Sequence, residues 1–344
     1  MEQRRFLLSI LMLMLCMVYA VAEPVTKDQA LQKAKTFLAK KGLAAKTSLN
    51  LAYQGRQRGQ QKGAPVKNAS YYVFNNGHEG GFVIIAGDDC AEDVLGYADN
   101  GSFDADNIPS NMQAFLEGYA EEIDAARARG AKTADDNATV EKAHKVVAPL
   151  IETHWGQNDP YNQLCIRPNG DLCVTGCVAT AFAQVMYYYK WPQGATTAIP
   201  NTFGNSYPDL PSTTFKWDKM KLAYINTGED DVEAEQAVAK LMWYCGHAVK
   251  MSYGTGSSGA YEGYIPTALK NYFGYPGNPA LVQRSDYTTE EWDELIYKEL
   301  KYGRPVLYGA NTSGGGGHEF ICDGYDGHGL YHINWGWGGL SDGY

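Results

Sequence analysis

The stretch VTGCVATAFAQVMYYYKWP, residues 174–192, decides the fold and the chemistry of this chain. Helix-forming residues follow its Thr-Gly pair without interruption, and the helix must end before Pro192. Cys177 then lies in the first turn, where unpaired backbone N–H groups and the helix dipole favour a thiolate and lower the thiol pKa. Because apolar side chains occupy nearly every face, we expect a buried central helix that presents Cys177 as a nucleophile.

A nucleophilic thiol needs a base, and four histidines follow Cys177 in the chain. They are His247, His318, His328 and His332. Only His318 follows a glycine run, Gly314–Gly317, which removes side chains from its approach, and an apolar strand begins after it. We therefore predict His318 as the general base, with Gly317 lining the path of the substrate. His328 is interpreted as a turn residue and His332 as a packed strand histidine.

A second strand, Leu330–Trp335, returns after the turn and carries the group that orients the base. The amide oxygen of Asn334 can fix the imidazole tautomer without adding charge, and Trp335 can shield that hydrogen bond from water. A tight turn sets Asn334 opposite Ile321, three residues from His318. A bulge or glycine kink must therefore bring Asn334 and His318 together.

Acyl transfer also requires donors for an oxyanion. The backbone N–H of Cys177 supplies one donor. Gln157, in the upstream segment HWGQ of residues 154–157, can supply a side-chain amide as the second.

The segment Gly254–Gly259 satisfies the spacing G-x-G-x-x-G. A dinucleotide site needs a strand before this motif and an acidic residue about 20 positions after it, where this chain has Pro279. We interpret the segment as a mobile loop that faces the substrate, with Ser257, Ser258 and Gly259 as binding residues.

Length and charge limit the class of protein. The 344 residues suffice for roughly two domains of about 150 residues each. A net charge of −10 argues against a nucleic-acid partner. Residues 1–22 begin with Arg4 and Arg5, continue as a short apolar stretch and close on Ala-Val-Ala, which is typical of a secretory signal peptide rather than a membrane span. We expect a secreted or cell-surface protein.

Six cysteines remain after the signal segment. They are Cys90, Cys165, Cys173, Cys177, Cys245 and Cys322. The even number permits up to three disulfides in an exported protein, and the pairing stays open. Cys173 and Cys177 lack a second ligand pair nearby, so the spacing matches no zinc pattern. The sequence predicts neither a metal nor a cofactor.

The region after the signal segment predicts a small α+β unit. Its elements are a helix at Lys27–Lys41 capped by Thr26, strands at Ser70–Phe74 and Gly81–Ala86, and a helix at Asn111–Arg129 capped by Ser110. The polar, alanine-rich stretch 131–145 has no apolar period and is interpreted as a linker. The predicted organisation is a signal peptide at 1–22, a first domain at 23–145 and a second at 146–344.

Several segments together resemble streptopain and the interpain-type bacterial cysteine peptidases, a papain-like group. Three of these segments carry the predicted catalytic residues: TGCVATAFAQVM at 175–186, GGGGHEFICDGYDG at 314–327 and YHINWGWGGLSDGY at 331–344. HWGQNDPYN at 154–162 resembles the start of their catalytic domains, and MSYGTGSSG at 251–259 resembles their substrate loop. GGFVIIAGDDCAEDVLGYADNGSFD at 80–104 resembles their pro-domain. The resemblance runs from about residue 24 to the end of the chain.

The resemblance implies an α+β fold in which a papain-like catalytic domain follows a small α+β pro-domain. A central helix would carry Cys177, and an antiparallel sheet would carry His318 and Asn334. By position, the family's pattern also implies Trp335 as the cover of the histidine and Gln157 as part of the oxyanion hole.

The resemblance further implies a secreted cysteine endopeptidase, a hydrolase made as a zymogen, that cleaves protein and peptide substrates through a thioacyl-enzyme. Residues 23–145 would be its own inhibitory propeptide. Streptopain-like chains continue past the SDG motif, so this chain is expected to be truncated at its C-terminus. Two alternatives stay open: a Cys-His amidase or transferase acting on cell-wall peptides, and a catalytically weak, adhesin-like binding protein.

Overall fold

The computed structural model describes most of the chain after the predicted signal segment. The described residues are 22–43, 49–55, 66, 68–130, 144–201, 207–224, 231–311 and 317–344. The chain divides into two compact units, Met1–Val140 and Glu141–Tyr344, and the division falls inside the polar stretch 131–145. Nearly all of the signal segment and of that stretch lies outside the described residues. Over the described ranges, no helix is long and apolar enough to cross a membrane.

The first helix of the N-terminal unit, α1 (Lys27–Lys40), begins as the sequence predicts. The Thr26 hydroxyl accepts the backbone N–H of Gln29 at 3.3 Å, and the Gln29 side chain accepts the backbone N–H of Thr26 at 2.8 Å. This reciprocal capping box satisfies two N–H groups that an uncapped helix leaves unpaired. The buried stripe of the helix consists of Ala30, Ala34 and Leu38.

A four-stranded antiparallel sheet lies at the centre of the N-terminal unit. In order, its strands are β1 (Leu49–Gln54), β2 (Tyr71–Asn76), β3 (Phe82–Ala86) and β4 (Val94–Ala98). The sequence predicted β2 and β3 but missed the outer strands. Most residues of β1 are half-buried or exposed, and β4 begins with two half-buried residues. The second helix, α2 (Ser110–Ala128), has Pro109 rather than Ser110 at its N-cap, so the predicted serine cap is wrong.

In the described residues of the second unit, a buried central helix lies among three other α-helices. These are α3 (Cys177–Tyr189), α4 (Val232–Ala248), α5 (Ile265–Asn271) and α6 (Thr289–Lys301). Most of the first three turns of α3 are buried, and Val178 and Phe182 share a core with Leu241 of α4. Lys190 ends α3 in the left-handed conformation. The prediction of a central helix that ends before Pro192 is confirmed.

The sheet of the second unit is antiparallel, in the order β5 (Val306–Asn311), β6 (Gly317–Tyr325) and β7 (Tyr331–Asn334). Asn334 pairs with Ile321, as the tight turn predicted. The register shifts between Cys322 and Gly324, where β6 bulges. Ile321 packs on Ala181, which joins this sheet to the middle of α3.

The six cysteines that follow the signal segment are all free thiols in the structure. Cys165 and Cys173 are neighbours across a short hairpin, because the Cys173 N–H donates to the Cys165 carbonyl at 2.8 Å. Within the described ranges, no group of three or more His, Cys, Asp and Glu side chains could hold a metal ion.

Arg127 of α2 stabilises the sheet of the N-terminal unit. Its guanidinium lies 2.6 Å from the Asp88 carboxylate and donates to the carbonyls of Ala69 and Gly87 at 2.8 and 2.7 Å. Asp88 is only 2% exposed. Burial acts to raise the pKa of Asp88, but its hydrogen bonds, chiefly with Arg127, hold that pKa below its usual range.

Replacing Arg127 by alanine leaves the Asp88 carboxylate buried without its cation. We expect the free energy of unfolding of the N-terminal unit to fall by about 3 kcal/mol, the usual cost of removing one partner of a buried ion pair. Urea unfolding measures this loss, with amide hydrogen exchange in β2 and β3 as the signal that is monitored. Arg129→Ala at an exposed position is the control, and an equal loss in both variants would contradict the role of Arg127.

Candidate active site

Gly176 leads into α3, and any other residue at this position would be strained. Gly176 has φ +86°, and a Cβ at this position would lie 2.8 Å from the Met251 sulfur and 2.9 Å from the Ser258 carbonyl oxygen. Only glycine combines this conformation with so close an approach. The Gly176 carbonyl accepts the N–H of Thr180, so Cys177 is the first residue of the helix.

The thiol of Cys177 lies against strand β6. Two groups of Glu319 are close enough to the thiol to shift its pKa: the backbone N–H, which favours the thiolate, and the carboxyl, which opposes it. Burial raises the pKa of the Cys177 thiol and outweighs the backbone N–H groups, including that of Val178, that favour the thiolate. The expected lowering of the thiol pKa is therefore wrong for this structure, because desolvation outweighs the effect of the helix N-terminus.

His318 is buried at the start of β6, directly before Glu319. Its Nε2 lies 2.9 Å from the carbonyl oxygen of Trp335. Because a carbonyl only accepts, Nε2 carries the proton and Nδ1 is the basic nitrogen. The imidazole stacks on the indoles of Trp335 and Trp337, with ring centroids 6.0 and 5.0 Å apart. Burial lowers the pKa of His318 to about 4, so the ring is neutral at neutral pH.

Asn334 does not make the orienting hydrogen bond that the sequence analysis assigned to it. Its Oδ1 accepts from Gln184 Nε2 at 3.0 Å and from the Gly336 N–H at 3.1 Å, and its Nδ2 donates to the Thr153 carbonyl at 2.8 Å. The bulge of β6 lies beyond Ile321 on the side away from His318, so it does not close the three-residue offset. The carbonyl of the next residue, Trp335, reaches the imidazole instead.

Gln184 was missed by the sequence analysis and connects α3 to β7. It follows Cys177 by two helical turns and is 1% exposed. Its Oε1 accepts from the Thr153 hydroxyl at 2.8 Å, while its Nε2 donates to Asn334. A single amide within an otherwise apolar helical run was the signal that could have revealed it, because a buried polar side chain needs partners.

The second missed residue is Asp342, which holds Trp335 from the other side. Its Oδ1 accepts the Trp335 N–H at 2.9 Å, and its Oδ2 lies 3.5 Å from His154 Nδ1. The nearby Asp342 carboxylate raises the pKa of His154. Trp335 thus contributes both the predicted cover of the imidazole and the carbonyl that orients it. The carboxylate in the S-D-G motif near the end of the chain was the available signal.

Gln157 lies beside the segment that leads into Cys177. Its carbonyl accepts the N–H of Thr175, two residues before Cys177, at 3.0 Å. Among the described residues, no hydrogen bond involves its side-chain amide. The structure therefore places the backbone of Gln157 beside the residues that precede Cys177.

The predicted substrate loop contacts the same segment, with different roles for its members. Ser258 is 6% exposed, and its hydroxyl donates to the Val174 carbonyl at 2.7 Å and accepts the Gly254 N–H at 3.0 Å. Ser258 thus holds the loop in place, whereas Ser257 and Gly259 are exposed. Gly317 is exposed at the first position of β6, and residues 314–316 lie outside the described part.

These contacts combine a thiol at a helix N-terminus with a neutral imidazole of fixed tautomer. The thiol meets the backbone of the residue that directly follows the histidine. Two indoles stack on the imidazole, and the backbone of Gln157 lies beside the segment that leads into Cys177. Such an arrangement suits nucleophilic catalysis of acyl transfer by cysteine.

Fold and site together define a papain-like cysteine peptidase that carries a small α+β domain before its catalytic domain. The Peptidase C10 family matches residues 155–344, and the Spi protease inhibitor family matches residues 22–123. The chain belongs to the Peptidase C10 family. It is a cysteine peptidase of the zymogen type, with an inhibitor-type propeptide domain, and the predicted fold class is confirmed.

Similar proteins agree with this assignment. Streptopain of Streptococcus pyogenes is 32% identical over 375 residues, covering all of this chain and 92% of the relative. The thiol protease/hemagglutinin PrtT of Porphyromonas gingivalis is 33% identical, and the chain spans 40% of its length.

Two solved structures of one Prevotella intermedia protease are also similar. A mutant prointerpain A fragment matches with a TM-score of 0.68 and 33% identity, over 86% of this chain and 91% of that one. Active wild-type interpain A matches with a TM-score of 0.51 and 38% identity, over 58% and 85% of the two chains.

The protonation of the site predicts how Cys177 reacts in the intact chain. A raised thiol pKa leaves the protonated form dominant below it, and a neutral His318 provides no cation to counter this. We expect iodoacetamide to alkylate Cys177 slowly at neutral pH. The alkylation rate should still increase with pH above about pH 8.5, the ordinary thiol pKa. Peptide mass mapping measures the rate, with N-acetylcysteine as the reference thiol. A flat plateau at acidic pH would show a thiolate–imidazolium pair and contradict this expectation.

Asp342 tests the importance of the Trp335 carbonyl. Asp342→Ala removes the acceptor of the Trp335 N–H, so we expect kcat for peptide hydrolysis to fall about tenfold to a hundredfold with little change in KM. Asp342→Asn keeps an oxygen at the same place and should restore most of kcat. If the asparagine variant is as impaired as the alanine variant, the N–H bond is not what positions the site.

Proposed function

We propose that this protein is a secreted cysteine endopeptidase, made as a zymogen, that hydrolyses peptide bonds of protein substrates. Cys177 is the nucleophile and His318 is the general base and acid. The observation that carries the proposal is the His318–Trp335 hydrogen bond, which leaves Nδ1 basic on the strand whose next residue contacts the Cys177 thiol.

The first half of the reaction acylates the enzyme. His318 Nδ1 takes the proton of the Cys177 thiol, and the sulfur attacks the carbonyl carbon of the scissile bond. The backbone N–H of Cys177 and the side-chain amide of Gln157 stabilise the oxyanion. The proton on Nδ1 then passes to the leaving amine, the C–N bond breaks and a thioacyl-enzyme remains.

The second half releases the acyl group. His318 Nδ1 takes a proton from water, the hydroxide attacks the thioacyl carbon, and the thiolate leaves and recovers the proton. Trp335 and Asn334 act as positioning residues. The Trp335 carbonyl holds the imidazole, and Asn334 holds the Gly336 N–H that follows this carbonyl.

The organisation of the chain supports a secreted zymogen. We assign residues 1–22 to a signal peptide, 23–145 to an inhibitory propeptide and 146–344 to the peptidase domain. The two family matches leave residues 124–154 between them, which include the polar stretch 131–145. Cleavage within or at the end of that stretch, by the enzyme itself, would remove the propeptide.

Cys177→Ala tests this function in the full chain under reducing conditions. Wild type should shorten to a fragment that begins near Val146 and should degrade casein, whereas the variant should do neither, because it lacks the nucleophile. Intact mass and casein digestion are the measurements. Cys90→Ser, which removes a thiol from the N-terminal unit, should process normally.

The outcome also separates the alternative functions. If wild type hydrolyses cell-wall peptides and spares casein, the protein is an amidase rather than an endopeptidase. If wild type and Cys177→Ala bind protein ligands equally and neither is processed, the protein is a binding protein.

A further inference from the structure

Glu319 is a buried carboxyl next to both proposed catalytic residues. It follows His318 in β6, and its backbone N–H lies close enough to the Cys177 thiol to lower the thiol pKa. The residue is 4% exposed. Within the described residues its carboxyl has neither a hydrogen-bond donor nor a cation as partner, which is rare for a buried ionisable group.

A second carboxyl approaches the same point. Gly309 of β5 pairs with Glu319. A Cβ on Gly309 would lie 2.8 Å from Glu319 Oε2 and 3.4 Å from Oε1 of Glu262, a half-buried residue of the short 3-10 turn Glu262–Tyr264. The two carboxyls therefore converge over a residue that has no side chain of its own.

This arrangement is unfavourable without a partner. Burial, with a further contribution from Glu262, raises the pKa of Glu319 to about 8. A buried carboxyl without a donor loses its hydration, and a second carboxyl nearby opposes its ionisation. A cation placed between the two would offset both effects and form charge-assisted hydrogen bonds.

The position of the pair identifies the source of that cation. The thiol that attacks the scissile carbonyl contacts the backbone of Glu319, so a bound peptide passes within reach of this carboxyl. We propose that Glu319, assisted by Glu262, forms a subsite beside the nucleophile that binds the cationic side chain of a lysine or arginine in the peptide substrate. The proposal rests on the proposed peptidase function and adds a specificity to it.

Matched peptides test the charge preference directly. The full chain is processed to its active form and given peptides that differ at one of the three positions before the cleaved bond. The pairs are lysine against norleucine and arginine against citrulline, which change charge with little change of shape. At one position we expect kcat/KM of wild type to be at least tenfold higher for the cationic member of each pair.

Three variants assign this preference to its residues. Glu319→Gln keeps the shape of the side chain but cannot ionise when a cation binds, so the ratio should fall close to one. Glu262→Gln should lower the ratio by a smaller factor. Glu290→Gln, at an exposed position in the first turn of α6, is the control and should keep the wild-type ratio. Because each ratio compares two substrates of one enzyme, differences in active fraction cancel.

The possible negative results distinguish failure of the subsite from failure of the proposed peptidase function. Equal rates for both members of every pair in wild type, or a ratio unchanged by Glu319→Gln, would overturn the subsite and leave the peptidase function standing. Failure of wild type to cleave any peptide would remove the proposed function and the subsite with it. If Glu319→Gln does not fold, Glu262→Gln decides, and an unchanged ratio in that variant overturns the proposal.

Discussion

The hydrogen bond from His318 Nε2 to the Trp335 carbonyl is the constraint on which the candidate active site depends. It fixes the tautomer and leaves Nδ1 as the base. A carbonyl can do this only if the backbone around it is rigid. Here the N–H on one side of it is held by Asp342 and the N–H on the other side by Asn334. Two side chains thereby position one backbone oxygen, and that oxygen positions the imidazole.

Burial is the largest influence on the pKa values of Cys177, His318 and Glu319. Desolvation raises the pKa of Cys177, lowers that of His318 to about 4 and raises that of Glu319 to about 8. All three groups are therefore neutral near neutral pH. Proton transfer from the thiol to the imidazole must create a charge pair in a medium of low dielectric constant. Catalysis in this arrangement depends on donors that already point at the developing negative charge, since bulk water is not available to solvate it.

Local rules were enough to predict several parts of the site from the sequence. The Thr-Gly pair before an apolar run indicates where the nucleophile helix begins, and hairpin counting places Asn334 opposite Ile321. The sequence could not show which atom orients His318, because a backbone carbonyl belongs to every residue and no side chain marks it. It could not give the direction of the thiol pKa shift either. The helix N-terminus is visible in the sequence, whereas burial against β6 is a consequence of tertiary packing.

Gln184 links the helix that carries Cys177 to the strand end that orients His318. An amide both accepts and donates, so its oxygen can take the Thr153 hydroxyl while its nitrogen binds Asn334. Asn334 in turn donates to the Thr153 carbonyl, which closes the network. A carboxylate at position 184 would lack the donor to Asn334. An apolar side chain would also leave the buried Thr153 hydroxyl without its acceptor. The buried amide therefore couples the helix that carries Cys177 to the strand end that orients His318, and displacement of either element would break the same network.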